Sequence, residues 1–121
     1  MKKPYLLCVS LVLIQALSAC TKKDDAHIRD SMSFCAVFSP ESLAEMRANF
    51  QGAQFQQELM LRVQQAISSA GFSAILNKEH EYPKNAQAAY EYYVEEISSL
   101  IGYKYSCPDL QAYFRNTLDA S

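Results

Sequence analysis

The chain reads as an all-α protein, a small bundle of about four helices carried on residues 34–121. Three observations lead there. Apolar residues recur at three- and four-residue spacing in each segment past residue 34. No stretch alternates cleanly between apolar and polar over six residues. Three glycines in 121 residues are too few for a turn-rich β-fold.

The first helix opens at Ser39-Pro40-Glu41, with an N-cap serine, a proline at the first helical position and an acid in the first turn. Leu43, Met46 and Phe50 then share one face, and Gly52 ends or bends the helix. A longer second helix is predicted over residues 53–70. Phe55, Leu59, Val63, Ala66, Ile67 and Ala70 form its stripe, with the glutamines largely off it and Gly71 as C-terminal cap. The run Phe72-Ser73-Ala74-Ile75-Leu76 suits either a short extra turn or an apolar loop over the core. A third helix follows Pro83, over residues 84–101. Ala86, Ala89, Tyr90, Tyr93 and Ile97 face inward, joined by Leu100 and Ile101, and Gly102 closes it. Ser106-Cys107-Pro108-Asp109 opens the fourth helix, whose stripe is Leu110, Tyr113, Phe114 and Leu118. Leu59, Val63, Ile67, Tyr93 and Ile97 are the expected core. Residues 21–33 are polar, mixed in charge and without period. They read as a tether of roughly 20 Å root-mean-square reach.

Two lysines open the chain, twelve uncharged residues follow over 6–17, and the run exits through Leu17-Ser18-Ala19-Cys20. That order is a secretory leader, too short in its apolar part to span a bilayer comfortably. Leu-Ser-Ala-Cys resembles the lipobox of bacterial lipoproteins. The resemblance covers residues 1–20. It implies a signal peptide over 1–19, cleavage before Cys20 and acyl chains on Cys20, two or three of which give stable membrane anchoring. Thr21, in place of an aspartate, implies the outer membrane, with the domain facing the periplasm. Cleavage removes two of the eleven basic residues and none of the thirteen acids, leaving nine against thirteen, a formal −4 on 102 residues. A single mildly acidic domain has no basic patch for nucleic acid.

Of four cysteines, Cys8 leaves with the leader and Cys20 takes lipid. Cys35 and Cys107 remain, and an even pair in an oxidising compartment predicts a disulfide. Two free thiols or a metal pair are the alternatives, though no CxxC spacing or histidine cluster accompanies them.

The sequence contains no GxSxG, HExxH, P-loop or dinucleotide fingerprint. His27 falls in the tether, and Glu79-His80-Glu81 reads as a solvated loop whose consecutive residues converge poorly on one ion. Glu91 and Glu95, with Glu96, lie on the polar side of the third helix, where solvent explains them better than acid–base work. No metal or cofactor is expected, and the protein is expected not to be an enzyme. Seven tyrosines crowd into residues 82–113. Tyr90 and Tyr93 fit the core. Tyr92 falls off the stripe, and Tyr103 and Tyr105 precede Cys107, so these three are the candidate partner-binding surface. Simple capping of a small core is the competing account, and the apolar groove between the second and third helices is the next candidate surface.

Two functions fit. One is a non-enzymatic envelope lipoprotein that binds another envelope protein. In size, anchor and helical build it resembles the pilotins of secretion systems, which hold an amphipathic segment of their client in a helix-lined groove. The other is a protective lipoprotein, similar to periplasmic immunity proteins and to plasmid exclusion lipoproteins, that blocks an incoming toxin or conjugation apparatus.

Overall fold

The computed structural model describes residues 25–78 and 85–119, and the described residues are all helix and connecting loop. The leader, Cys20 and the Glu79-His80-Glu81 segment lie outside them. Six α-helices replace the expected four: α1 over residues 25–37, α2 Pro40–Asn49, α3 Ala53–Ala66, α4 Ala70–Asn77, α5 Ala86–Ile101 and α6 Pro108–Phe114. A π-helical turn, Arg115–Asp119, continues α6.

The first correction concerns the tether. Residues 25–33 are the first half of α1, and order begins at least nine residues before Phe34. The inward positions do follow a helical spacing: His27 and Ile28 are half-buried, Asp30, Ser31 and Phe34 are buried, and Val37 and Phe38 complete the face. The periodicity is hidden because its early positions are filled by polar side chains. Asp30 and Ser31 each meet a hydrogen-bond partner. The Asp30 carboxylate accepts the Ser68 and Ser69 backbone N–H groups at 3.1 and 2.8 Å. The Ser31 hydroxyl donates to the Ile28 carbonyl at 2.6 Å.

The same carboxylate explains the second correction. The expected helix over 53–70 stops at Ala66, and Ile67 is extended. Ser68 and Ser69 are captured by Asp30 through both backbone and hydroxyl groups. Ser69 then caps a new helix by accepting the Phe72 N–H at 3.3 Å. Ala70 is therefore exposed and Ile67 only half-buried. Gly71 lies inside α4 rather than capping α3. A Cβ there would stand 3.0 Å from Leu100 and 3.1 Å from His27, so its absence lets α4 pass close to α1 and the end of α5. The ambiguous Phe72–Leu76 stretch is α4 itself, with Phe72 and Ile75 buried.

The remaining helices start and stop close to where the sequence places them, with α5 beginning at Ala86 and α6 passing into the π-helical turn after Phe114. Ser39 accepts the Ser42 N–H with Pro40 at the start of α2. The N–H of Gly102, left-handed at φ 87°, donates to the Ser98 carbonyl and ends α5. Cys107 caps α6 through its sulfur, which accepts the Leu110 N–H at 3.3 Å. Asn85 caps α5, and Asp119 accepts the Ala86 N–H, fastening the last turn to the start of α5. Anionic side chains are favoured at that end of a helix.

Cys35 and Cys107 form a disulfide, 5.9 Å between Cα atoms, joining α1 to the start of α6. Among α2 to α6 the backbones approach closely at α5–α6, α4–α5 and α2–α3. Arg62 aligns the α2–α3 pair, bonding both Glu45 oxygens at 3.2 Å and Glu58 at 3.0 Å. The core gathers Phe34, Phe72, Met46, Ile97 and Leu110, all nearly or fully shut from solvent. Leu59, Val63, Tyr93 and Ile97 are buried as expected.

Candidate functional site

The three candidate tyrosines do not form one surface. Tyr105 is 6% exposed. Its hydroxyl donates to the Ser31 carbonyl at 3.1 Å, and its N–H donates to the Ser98 hydroxyl at 2.8 Å. Burial pushes its phenol well above the ordinary tyrosine range. Tyr92 is half-buried, donates to the Ile75 carbonyl at 3.0 Å and meets Tyr93 edge-on at 5.1 Å. Tyr103, 54% exposed, faces solvent and Tyr92 is partly exposed, both as expected; Tyr105 is the one that departs. The physical reason is the phenol hydroxyl, which can satisfy a backbone carbonyl inside the fold and so lets the ring be buried. Tyr90 plays the same bracing role, accepting the Cys107 N–H at 2.9 Å. Replacing Tyr105 by phenylalanine is expected to lower stability by about 1 kcal/mol, the net worth of one hydrogen bond. Thermal melts would check this; an unchanged midpoint would mean that Tyr105 does not brace α1.

What the fold does present is an apolar cleft of about 320 Å³. Its floor is Phe34 of α1 and Phe38 just after it. One wall is α3, through Leu59, Val63 and the mouth residues Gln56 and Met60. The facing wall is Tyr93 of α5 with Leu110, Tyr113 and Phe114 of α6, and Leu76 of α4 also lines the cleft. Close backbone approach joins α3 to α2, and across the cleft α3 faces α5 and α6.

The aromatic lining is a closed ring of contacts. Phe34 meets Phe38 at 5.3 Å, Phe38 meets Tyr113 at 5.1 Å, and Tyr113 meets Phe114 at 5.9 Å. Phe114 stacks on Tyr93 at 5.8 Å, and Tyr93 returns to Phe34 at 5.7 Å. Such pairs add about 0.5–1.5 kcal/mol each beyond their buried area. The walls are therefore firm on the α1, α5 and α6 side. The α3 rim differs: Met60 is 58% exposed and unbranched, a side chain that adapts to what it touches. Among the described residues no lining side chain is an acid, a lysine, an arginine or a histidine.

Sequence reasoning placed Leu59, Val63, Tyr93, Leu110, Tyr113 and Phe114 on inward faces and offered a groove between the second and third helices, without naming these residues as its walls. The signal available was Met60, an apolar residue on the polar flank of α3 beside Gln56. Glu91 and Glu95 are exposed, and Glu91 accepts a hydrogen bond from Gln87 at 2.9 Å. The chain matches no protein-family model, no curated protein and no solved structure.

Proposed function

We propose that the protein is a non-enzymatic envelope lipoprotein, anchored through acylated Cys20, whose cleft holds an amphipathic helical segment of another envelope protein. The cleft is the observation that carries this reading. Its described lining is largely apolar and aromatic and carries no charge, so its complement is a segment that brings large apolar side chains and no charge into it. A volume of about 320 Å³ takes side chains rather than a whole helix. The partner would lie across the mouth, its apolar residues at three- and four-residue spacing entering between α3 and the α5–α6 wall. Met60 at the rim suits a binding surface that must adjust to its client. A short lipid tether would keep the domain beside membrane-inserted partners at high effective concentration. The role supported is that of an escort or assembly helper of the pilotin kind, with no catalytic step.

Mass spectrometry of the mature protein tests the anchor: acyl chains on Cys20 are expected, and the Cys20→Ser precursor should remain uncleaved. Photocrosslinking tests the cleft. A crosslinker at Met60 should yield a discrete adduct in intact envelopes, and one at exposed Gln87 on α5 should not. Met60→Glu should then reduce recovery of that adduct's partner at least tenfold, the effect of about 1.4 kcal/mol, while helical content stays unchanged. Equal adducts from both positions, or full recovery with Met60→Glu, would remove the cleft from the function.

A further inference from the structure

Among the described residues four large apolar side chains stand well exposed: Met60 and Leu61 on α3, Met32 on α1 and Tyr103 after α5. Met60 belongs to the mouth of the cleft. Met32, 67% exposed, and Tyr103 belong to a different place. They border one shallow hollow, together with Ala36, Lys104, Ser106 and Asp109. Met32 continues an exposed face of α1 through Asp25, Arg29 and Ala36, spaced four, three and four residues apart. Its position is two residues from Phe34, about 160° around the helix from the floor of the cleft.

The chain length sets where this face can be. Asp25 is five positions after Cys20, a covalent reach of at most about 18 Å. Met32 lies seven residues further, about 10 Å along α1. Charge is balanced across the patch, with Arg29 and Lys104 against Asp25 and Asp109. A neutral patch carrying one methionine and one tyrosine suits an interface that is apolar on one side and wet on the other. Two exposed large apolar side chains fall short of the roughly 800 Å² per partner that a stable protein interface uses. A tethered contact has no such requirement, because the anchor makes it intramolecular.

We infer that the outer face of α1 and the Tyr103-Lys104 loop rest on the bilayer that holds Cys20, with Met32 and Tyr103 seated among the lipid headgroups. The inference rests on the reading of Cys20 as the acylated residue. Tyr103 places its ring toward the acyl chains and its hydroxyl toward water, and Lys104 extends its charge to the headgroups along an apolar stem. The floor of the cleft is on the opposite side of α1, so this seating turns the cleft away from the membrane and toward a client.

The chain contains no tryptophan, so Tyr103→Trp creates a unique reporter. The acylated mature protein would be reconstituted into phosphatidylethanolamine–phosphatidylglycerol vesicles whose acyl chains carry bromine, a contact quencher. The reporter at position 103 should shift to the blue and lose most of its emission, and Met32→Ser in the same chain should restore much of it. Met60→Trp, at the mouth of the cleft, should keep its emission. No quenching at position 103 in protein that floats with the vesicles overturns the seating and leaves the anchor intact. Equal quenching at 103 and 60 also overturns it, since no face is then preferred. A blue shift without bromine quenching assigns the patch to a protein contact and overturns it as well. If mass spectrometry finds Cys20 without acyl chains, the anchor fails separately. The seating then falls with the anchor, because two apolar side chains without a tether are too few to hold the domain on a bilayer.

Discussion

Replacing Cys35 and Cys107 together by alanine is expected to lower stability by about 4 kcal/mol, the loop-closure value for a bridge spanning 72 residues. Small domains hold only about 5–15 kcal/mol in total, so the loss is a large share of it. The melting temperature should fall by roughly 15–30 °C. Position adds to loop length. Cys107 is fully buried, and its sulfur caps α6 by accepting the Leu110 N–H. Cys35 follows Phe34 on α1, and Cys107 leads into Leu110, Tyr113 and Phe114. The bridge therefore ties the floor of the cleft to one of its walls. The double variant should lose binding at the cleft before it loses helix, because the α1–α6 spacing relaxes first. Calorimetry of the oxidised wild type, the reduced wild type and the double variant would check the stability. A midpoint within a few degrees of wild type would mean that the bridge adds nothing to packing that already closes the loop.

Local chemistry was the most legible part of the fold. Pro40 and Pro108 marked helix starts, Gly102 marked a helix end, and the apolar stripes of α3 and α5 identified their buried faces. The first half of α1 escaped because burial there is polar. Helical periodicity is read from apolar residues, and Asp30 and Ser31 occupy inward positions without adding to that signal. The break between α3 and α4 escaped for the same reason. Its cause is a carboxylate 38 residues away, and helix propensity alone carries the pattern through Ala70. A groove between the second and third helices was legible from their apolar faces, but its opening and its α1 and α6 lining were not, because those depend on how far apart α3 and the α5–α6 pair stand. The residues that line it are the same ones that would fill a core. The tyrosines mark the limit of composition: Tyr103 and Tyr105 are two residues apart in one loop, yet only Tyr105 has a buried carbonyl within reach.

Asp30 is the residue on which the two halves of the domain depend, and Asp30→Ala is expected to lower stability by about 2–4 kcal/mol. The side chain is 3% exposed and accepts from Ser68 and Ser69 through both backbone and hydroxyl groups, with the Ser69 hydroxyl at 2.6 Å. Hydrogen bonds to a charged group are worth about 1.5–3 kcal/mol, and truncating the acceptor strands donors that the fold has drawn together. The contact also starts α4, because Ser69 is its cap. Burial alone would raise the pKa of this carboxyl, but the Ser69 and Ser68 donors outweigh it and hold the group below the ordinary carboxylate range. A carboxyl with a lowered folded pKa stabilises the fold fully above its unfolded pKa of about 3.9, and the benefit is lost as pH falls through the folded value. Wild-type stability should therefore decline on acidification from about pH 4 downward, and Asp30→Asn should flatten part of that decline while lowering stability at neutral pH. Denaturant unfolding of both proteins at pH 7 and across the acid range would measure it. Parallel acid profiles would show that other carboxylates carry the acid sensitivity. A neutral-pH loss below 1 kcal/mol for Asp30→Ala would show that α4 starts without the carboxylate.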